Sequence, residues 1–165
     1  MKATVLYKSL TGNTRLLADT LAKELDCSVQ PITTQDIEVS TEIVCIGFWT
    51  DKGVCDKDVQ RVLKSLHHKK VFLFGTAGFG KQEDYFQAIL KRVSNYLDDS
   101  NVVIGGFMCQ GKMPLAVKQK YERMLEEHPD NEHFKGMIEN FDEALSHPNT
   151  QDLKDLQEYV QKVIV

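Results

Sequence analysis

Hydrophobic positions along this chain follow two alternating patterns. The first is a short, nearly continuous apolar run, which is typical of a strand buried on both faces of a parallel sheet. These runs lie at residues 2–7, 28–32, 42–48, 70–75 and 101–109, the second being the least apolar. The other pattern is the recurrence of apolar residues at helical spacing. It covers residues 14–25, 56–66, 83–97, 114–127, 133–145 and 150–163.

The order of these elements predicts the fold class. Strands alternate with helices as far as residue 109, apart from the second and third strands, which have no helical pattern between them, and three helices follow. This alternation favours an α/β fold, a three-layer α/β/α sandwich around a parallel sheet. The 165 residues contain no repeat, linker or low-complexity segment, so we expect a single domain over residues 1–165.

Ligands of such folds bind at the carboxyl ends of the strands. In this chain those ends correspond to residues 8–13, 49–55, 76–82 and 110–113. Most of the unusual chemistry of the sequence falls in these four loops. We therefore expect the functional site to lie there.

The loop at 75–82, GTAGFGKQ, has the glycine and lysine spacing of a nucleotide-triphosphate P-loop. A P-loop also needs Ser or Thr directly after its lysine to hold Mg²⁺, and this chain has Gln82 there. P-loops usually follow the first strand of their sheet, whereas this loop follows the fourth predicted strand. Both observations disfavour an ATP site.

The loop after the first strand, SLTGNT at 9–14, suits a phosphate better. It runs directly into a helix, whose first turn offers free backbone N–H groups and the positive end of the helix dipole. Ser9, Thr11, Asn13 and Thr14 add polar side chains that can donate to phosphate oxygens, and Gly12 permits close backbone approach. A plain turn with a helix N-cap would use the same residue types, but the loop holds more polar groups than capping needs.

Composition narrows the range of partners and compartments that we expect for this protein. The net charge of −4 disfavours nucleic acid, and no apolar run approaches the roughly 18–20 residues of a membrane span. The four cysteines show no CxxC spacing, and the scattered histidines form no metal-type pattern. Reduced thiols fit a cytoplasmic protein. We therefore expect a cytoplasmic monomer without nucleic-acid or membrane partners.

The motif Y-x-S-x-T-G-N-T-R at 7–15, between the first strand and the first helix, resembles the FMN-phosphate loop of flavodoxins. The resemblance covers residues 1–110 and the final helix. It implies a five-stranded parallel sheet of order 2-1-3-4-5, FMN as the cofactor, and no metal. The residues it assigns to the phosphate loop are Ser9, Leu10, Thr11, Gly12, Asn13 and Thr14.

The same resemblance implies two more flavin-binding loops, after the third and fourth strands. Trp49, the only tryptophan, would stack on the flavin or pack over the sheet edge. Phe79 and Tyr85 are candidates for the opposite face, although Tyr85 begins an amphipathic helix and suits the core equally well. A backbone carbonyl near Gly53 would accept a hydrogen bond from the reduced flavin. The complete loops are Trp49, Thr50, Asp51, Lys52 and Gly53, and Thr76, Ala77, Gly78 and Phe79 with Tyr85.

Charge near these loops departs from the strongly acidic pattern of many flavodoxins. Lys52, Lys81 and Lys112 lie in or beside them, and residues 1–113 carry 14 basic against 13 acidic side chains. The acidic character belongs to residues 114–165, with 6 against 11. Positive charge favours the anionic reduced flavin, so we expect a less negative reduction potential, unless solvent screens the lysines.

The stretch FMCQGKMP at 107–114 ends the fifth strand and leads into a helical segment at about 114–147. Gln110 could bind the flavin or a docking partner, and Cys109 could be a redox thiol or a buried small residue. The helical segment is longer than a minimal flavodoxin needs. It could form a partner-docking lid or cover a sheet edge.

The resemblance implies an electron-transfer protein that carries electrons from an upstream reductase to a client reductase. FxCQGK-bearing relatives resemble small bacterial proteins found beside flavin or iron–sulfur reductases, including some that act on bile pigments. The alternative on the same fold is an NAD(P)H-dependent FMN or quinone reductase. A flavin-free module that binds another phosphate ligand is the third possibility.

Overall fold

The computed structural model describes residues 2–80 and 82–165. Five strands form one sheet whose order is β2-β1-β3-β4-β5, and every neighbouring pair is parallel. The predicted sheet order is therefore confirmed. The strands are β1 Ala3–Tyr7, β2 Ser28–Pro31, β3 Ile43–Trp49, β4 Lys70–Ala77 and β5 Val102–Gln110.

One helix follows each of β1, β3 and β4, whereas β2 leads to β3 without a helix among the described residues. The last three helices follow β5. Polar side chains cap several of the helices, and Asn149 and Asp152 form a capping box at the final helix. The helices are α1 Asn13–Glu24, α2 Lys57–Ser65, α3 Glu83–Ser94, α4 Leu115–Glu127, α5 Glu132–Ala144 and α6 Thr150–Val163.

Apolar side chains on the two faces of the sheet form two core clusters. One face packs on α1 and α6, with Leu17 and Val160 fully buried against the sheet. The other packs on α2 and α3, through residues such as Leu63 and Ile89. The result is the predicted α/β/α sandwich. It follows from apolar runs on β3 and β4 that leave no polar face for water.

The edge strand β5 and helix α4 depart from this regular arrangement. β5 carries a register shift opposite Val71 and Phe72, where Ile104 is the extra residue, next to Gly105 and Gly106. Helix α4 has no buried residue, and it is tied to α5 by a 2.7 Å ion pair between Lys118 and Asp142. No helix among the described residues is long and apolar enough to cross a membrane.

Candidate functional site

The loops at the carboxyl ends of β1, β3, β4 and β5 surround a cavity of about 440 Å³. The structure brings the three predicted flavin-binding loops together there, and all of their proposed residues except Gly12 and Asp51 line it. Asp51 instead closes the second loop through backbone bonds with Val54. The predicted residues on the cavity wall are Ser9, Leu10, Thr11, Asn13, Thr14, Trp49, Thr50, Lys52, Gly53, Thr76, Ala77, Gly78, Phe79 and Tyr85.

The first loop presents the start of helix α1. Gly12 is the N-cap, with φ +91°, a conformation that favours glycine. Ser9 Oγ accepts a hydrogen bond from the Gly12 N–H at 3.1 Å, which leaves the Ser9 hydroxyl proton available. Helix α1 has no side-chain cap and no acidic residue in its first turn. Its first N–H groups are therefore free to meet an anion.

Gly12 lines a neighbouring cavity of about 320 Å³, which shares Ser9 with the larger one. Arg15 also lines this smaller space and brings a positive charge to it. The SLTGNT loop therefore separates two cavities and offers donors to both. Only the larger cavity is also lined by the second and third loops.

Thr14 and Asn13 have structural partners that the sequence pattern did not indicate. The Thr14 hydroxyl lies 3.2 Å from the Phe48 carbonyl, to which it donates, and 3.0 Å from the Thr76 hydroxyl. Asn13 Nδ2 donates to the Lys112 carbonyl at 2.8 Å. Both side chains join strand ends, which leaves the Ser9 and Thr11 hydroxyls as the side-chain donors of this loop.

The second loop ends in a tight turn. Asp51 and Val54 pair through two backbone hydrogen bonds, and the two residues between them, Lys52 and Gly53, have φ values of +51° and +83°. Positive φ at both central positions is the pattern of a type I′ turn. Arg92 from α3 donates to the Gly53 carbonyl at 2.8 Å, so this carbonyl already has a partner.

The third loop depends on glycine for its packing. A Cβ on Gly80 would lie 2.4 Å from the Tyr85 ring, so the ring rests directly on the backbone there. Tyr85, in the first turn of α3, packs against the core and also lines the cavity. Its position is therefore compatible with both alternatives, core packing and contact with the flavin. Phe79 lines the same cavity. Lys81, the P-loop-like lysine, lies outside the described residues.

A fourth wall of the cavity comes from the segment after β5. From the sequence, the loop at 110–113 is predicted at the ligand-binding edge of the sheet, with Lys112 beside the flavin loops, but none of the wall residues after β5 is assigned as a flavin contact. Gln110 of that loop does not line the cavity and bonds to Gly78 and Asn140. The additional wall residues are Gly111, Lys112, Met113, Pro114 and Val117.

Two residues of the cavity wall each have a buried polar atom without a hydrogen-bond partner among the described residues. The two atoms are the indole N–H at Trp49 Nε1 and the amide oxygen at Asn13 Oδ1. Buried polar groups are normally paired, and both residues line the cavity. Together with the free N–H groups of α1, these atoms fit a ligand that carries both an anionic group and a polar aromatic ring.

Positive charge marks this cavity. Lys52 and Lys112 are its charged wall residues among the described part of the chain, and neither forms an ion pair there. A second cavity, of about 520 Å³, lies beside β5 and has the opposite character, with Glu83, Asp152 and Asp155 on its wall. Its greater volume does not make it the better candidate, because none of the predicted flavin-binding residues lines it. Gly80, which packs against the Tyr85 ring, does line it.

The cysteines do not provide a redox thiol at the site. Cys109 is 5% exposed, and burial raises the pKa of its thiol. Burial likewise raises the pKa of Cys55, to about 12. A thiol that stays protonated is a poor nucleophile. The interpretation of Cys109 as a buried small residue therefore agrees with its surroundings, and no group of three potential metal-ligating side chains lies among the described residues.

Comparisons with known proteins agree with this geometry. The profile of the flavodoxin domain matches residues 4–161. A flavodoxin-like domain-containing protein BilS from Clostridioides difficile (strain CD3) is 36% identical, over 100% of this chain and 97% of the relative. A BilS protein from Clostridium symbiosum (strain WAL-14163) is 34% identical, over 97% and 94%.

Solved structures show the same fold. Oxidised flavodoxin 2 from Bacillus cereus superimposes with a TM-score of 0.61 at 14% identity, covering 98% of this chain and 96% of its own. A flavoprotein from Lactobacillus acidophilus NCFM in complex with FMN gives 0.54 at 16% identity, covering 65% of this chain and 92% of its own. At these identities the likeness concerns the fold alone.

Proposed function

This chain belongs to the flavodoxin-domain family, and from that premise we propose that its cavity binds FMN and that the protein carries electrons between redox enzymes. One observation carries the proposal. Three loops that the motif resemblance assigns to the flavin converge on one cavity, which is lined by Trp49 and Asn13, and the Trp49 Nε1 and Asn13 Oδ1 atoms are buried without a partner among the described residues. The solved Lactobacillus flavoprotein of the same fold is described in complex with FMN.

Different residues of the chain would bind the phosphate and the ring of this cofactor. The N–H groups at the start of α1 and the hydroxyls of Ser9 and Thr11 would bind the phosphate, because they are donors next to a positive helix end. Trp49 and Tyr85 supply aromatic surface for the ring. FMN, when bound, supplies the electron-transfer chemistry, and the protein places it and sets its electrostatic surroundings.

Partner docking is proposed at the mouth of the cavity. Leu10 there is 66% exposed, and Leu115, next to the wall residue Pro114, is 62% exposed. Lys52 and Lys112 add positive charge. An apolar patch with unpaired lysines suits a partner with an acidic rim. The upstream reductase and the client reductase would both dock on this surface. From the motif resemblance, we propose flavin or iron–sulfur reductases as the client class, among them enzymes that act on bile pigments.

We further propose that the protein is a cytoplasmic monomer and a single domain, in which residues 114–147 extend the flavodoxin fold. The alternative enzyme would oxidise NAD(P)H by itself, and no contact in the cavity favours it over the carrier. A pure protein that binds FMN but oxidises NAD(P)H only when a reductase is added would support the carrier. Steady NAD(P)H oxidation by the protein alone would support the alternative.

Titration of the apoprotein with FMN is the direct test. Trp49 is the only tryptophan, so its fluorescence reports binding at this cavity. Trp49→Ala should weaken FMN binding by at least about three- to tenfold, since it removes an aromatic contact worth about 0.5–1.5 kcal/mol, and flavin fluorescence then replaces the lost indole signal. A wild-type apoprotein that leaves flavin fluorescence unchanged would contradict the proposal.

A further inference from the structure

The carbonyl of Gly78, in the third loop, accepts two amide donors from outside that loop. Gln110 Nε2, at the end of β5, lies 3.1 Å away, and Asn140 Nδ2, on helix α5, lies 2.9 Å away. Gln110 Nε2 also lies 3.2 Å from Asn140 Oδ1, so the three groups form one cluster. We propose that Gln110 and Asn140 are positioning residues that aim the peptide N–H groups of the third loop at the flavin.

Peptide geometry gives the mechanism. A trans peptide is planar, and its N–H points opposite to its C=O. The Ala77 carbonyl accepts from the Gly111 N–H at 2.9 Å, and the Gly78 carbonyl accepts from the cluster. The paired N–H groups, those of Gly78 and Phe79, must therefore point the other way. Neither of them meets an acceptor among the described residues, and both residues line the cavity.

Packing fixes the same peptide from a second direction. A Cβ on Gly78 would lie 2.3 Å from Met113 Sδ, which shows that the thioether rests directly on the Gly78 backbone. Gln110 is 5% exposed, so its amide has little freedom to turn away. The Gly78 peptide is thus held by two hydrogen bonds and one packing contact. A peptide held in this way presents its donors without reorganising when a ligand arrives.

Asn140 gives the helical segment a part in the site. It lies on α5, beyond the sheet, and its side chain reaches 62 residues back along the chain to Gly78. The segment at 114–147 therefore touches the flavin loop directly, besides any role in docking or in covering a sheet edge. Donors at a ring edge favour electron density there, so loosening them should disfavour the reduced flavin.

The experiment measures FMN affinity and flavin reduction potential in Asn140→Ala and Gln110→Ala. Asn140→Ala should raise the Kd about three- to tenfold, the worth of one hydrogen bond, and shift the potential to a more negative value. Gln110→Ala should do more, since it removes donors to both Gly78 and Asn140. The double variant should bind more weakly than either single variant but by less than the two effects combined, because the two amides also bond to each other.

Glu139→Ala is the matched control. Glu139 neighbours Asn140 on α5 and is exposed, so its loss should leave the Kd and the potential unchanged. Thermal unfolding of each apoprotein separates positioning from stability. A lower Tm in Asn140→Ala with unchanged Kd and potential would overturn the inference, as would wild-type values throughout. Asn140 is only half-buried, so its variant remains a test even if Gln110→Ala does not fold.

The inference rests on the proposed function, and the two can fail separately. Wild-type protein that does not bind FMN would overturn both. Wild-type protein that binds FMN, with Asn140→Ala and Gln110→Ala binding it equally well at the same potential, would overturn the inference and leave the FMN site standing.

Discussion

The hydroxyl of Thr14, in the first turn of α1, lies 3.0 Å from the hydroxyl of Thr76, near the end of β4. Both residues are buried, at 1% and 3% exposure, and Thr14 also donates to the Phe48 carbonyl of β3 at 3.2 Å. This pair joins the first loop to the third loop at the wall of the cavity. The relative position of two proposed flavin contacts therefore depends on two hydroxyl groups 62 residues apart in sequence.

Thr14→Val tests that connection. The valine keeps the shape but leaves the Phe48 carbonyl and the Thr76 hydroxyl without this partner, which costs about 1–3 kcal/mol for buried polar groups. We expect the free energy of unfolding of the apoprotein to fall by that amount and FMN affinity to fall with it. Thr20→Val on the same helix, whose hydroxyl bonds to its own helix, should change FMN affinity little. Unaltered unfolding in Thr14→Val would show that the hydroxyl pair contributes nothing.

Gly53→Ala should disturb the second loop. Gly53 has φ +83°, and a Cβ there would lie 2.8 Å from Arg92 Nη1, the atom that donates to its carbonyl. We expect a loss of about 1 kcal/mol or more in unfolding free energy, since alanine is strained at positive φ. The spacing of the two one-electron potentials of bound FMN should change as well. Redox titration with equal spacing in wild type and variant would argue against a role for this carbonyl.

Gly136→Ala is the matched control for that change. Gly136 lies in helix α5, and a Cβ there would meet nothing within 4 Å. Alanine in a helix interior is favoured over glycine by roughly 0.5–1 kcal/mol. This variant should therefore raise the midpoint of denaturant unfolding and leave the potentials unchanged.

Lys52→Gln and Lys112→Gln test the charge of the cavity wall. Removing either positive charge should shift the second reduction step of FMN to more negative potential, on the order of 10–40 mV for an exposed charge. The difference should shrink as salt is added, because solvent-exposed charges are screened. Lys162→Gln, on the exposed surface of α6, is the control. Variants with wild-type potentials at low salt would show that the lysines are already screened.

The rate of thiol labelling should distinguish Cys27 from the three buried cysteines. Cys45, Cys55 and Cys109 are buried, and desolvation raises the pKa of each thiol, so all three stay protonated at neutral pH. Cys27 is only half-buried, although burial raises the pKa of its thiol as well. We expect an alkylating reagent to modify the native protein slowly, at Cys27 first, and all four sites after unfolding. Rapid native labelling at Cys109, read by mass spectrometry, would reopen its redox role.

Much of the fold and part of the site could be predicted from the sequence. The apolar runs of β3 and β4 and the helical spacing of α1 to α3 indicate local structure, because burial on two faces or on one stripe selects the residues at each position. The stretches SLTGNT (9–14) and WTDKG (49–53) lie together at the cavity because parallel strands place their carboxyl ends at the same edge of the sheet. Residues 111–117 were not assigned as flavin contacts, although loop 110–113 was expected at this edge, since Gly111, Met113 and Pro114 carry no polar signature.

By itself, the sequence determined which segments become strands and helices, and which loops meet at one end of the sheet, because these follow from hydrophobic period and parallel topology. The tertiary structure decided the roles of individual polar groups within those loops. In the folded chain the Thr14 hydroxyl bonds to the Thr76 hydroxyl, Arg92 donates to the Gly53 carbonyl, and Asn140 donates to the Gly78 carbonyl. A hydrogen bond depends on distances of a few tenths of an ångström between residues far apart in sequence, and such distances exist only once the core has packed.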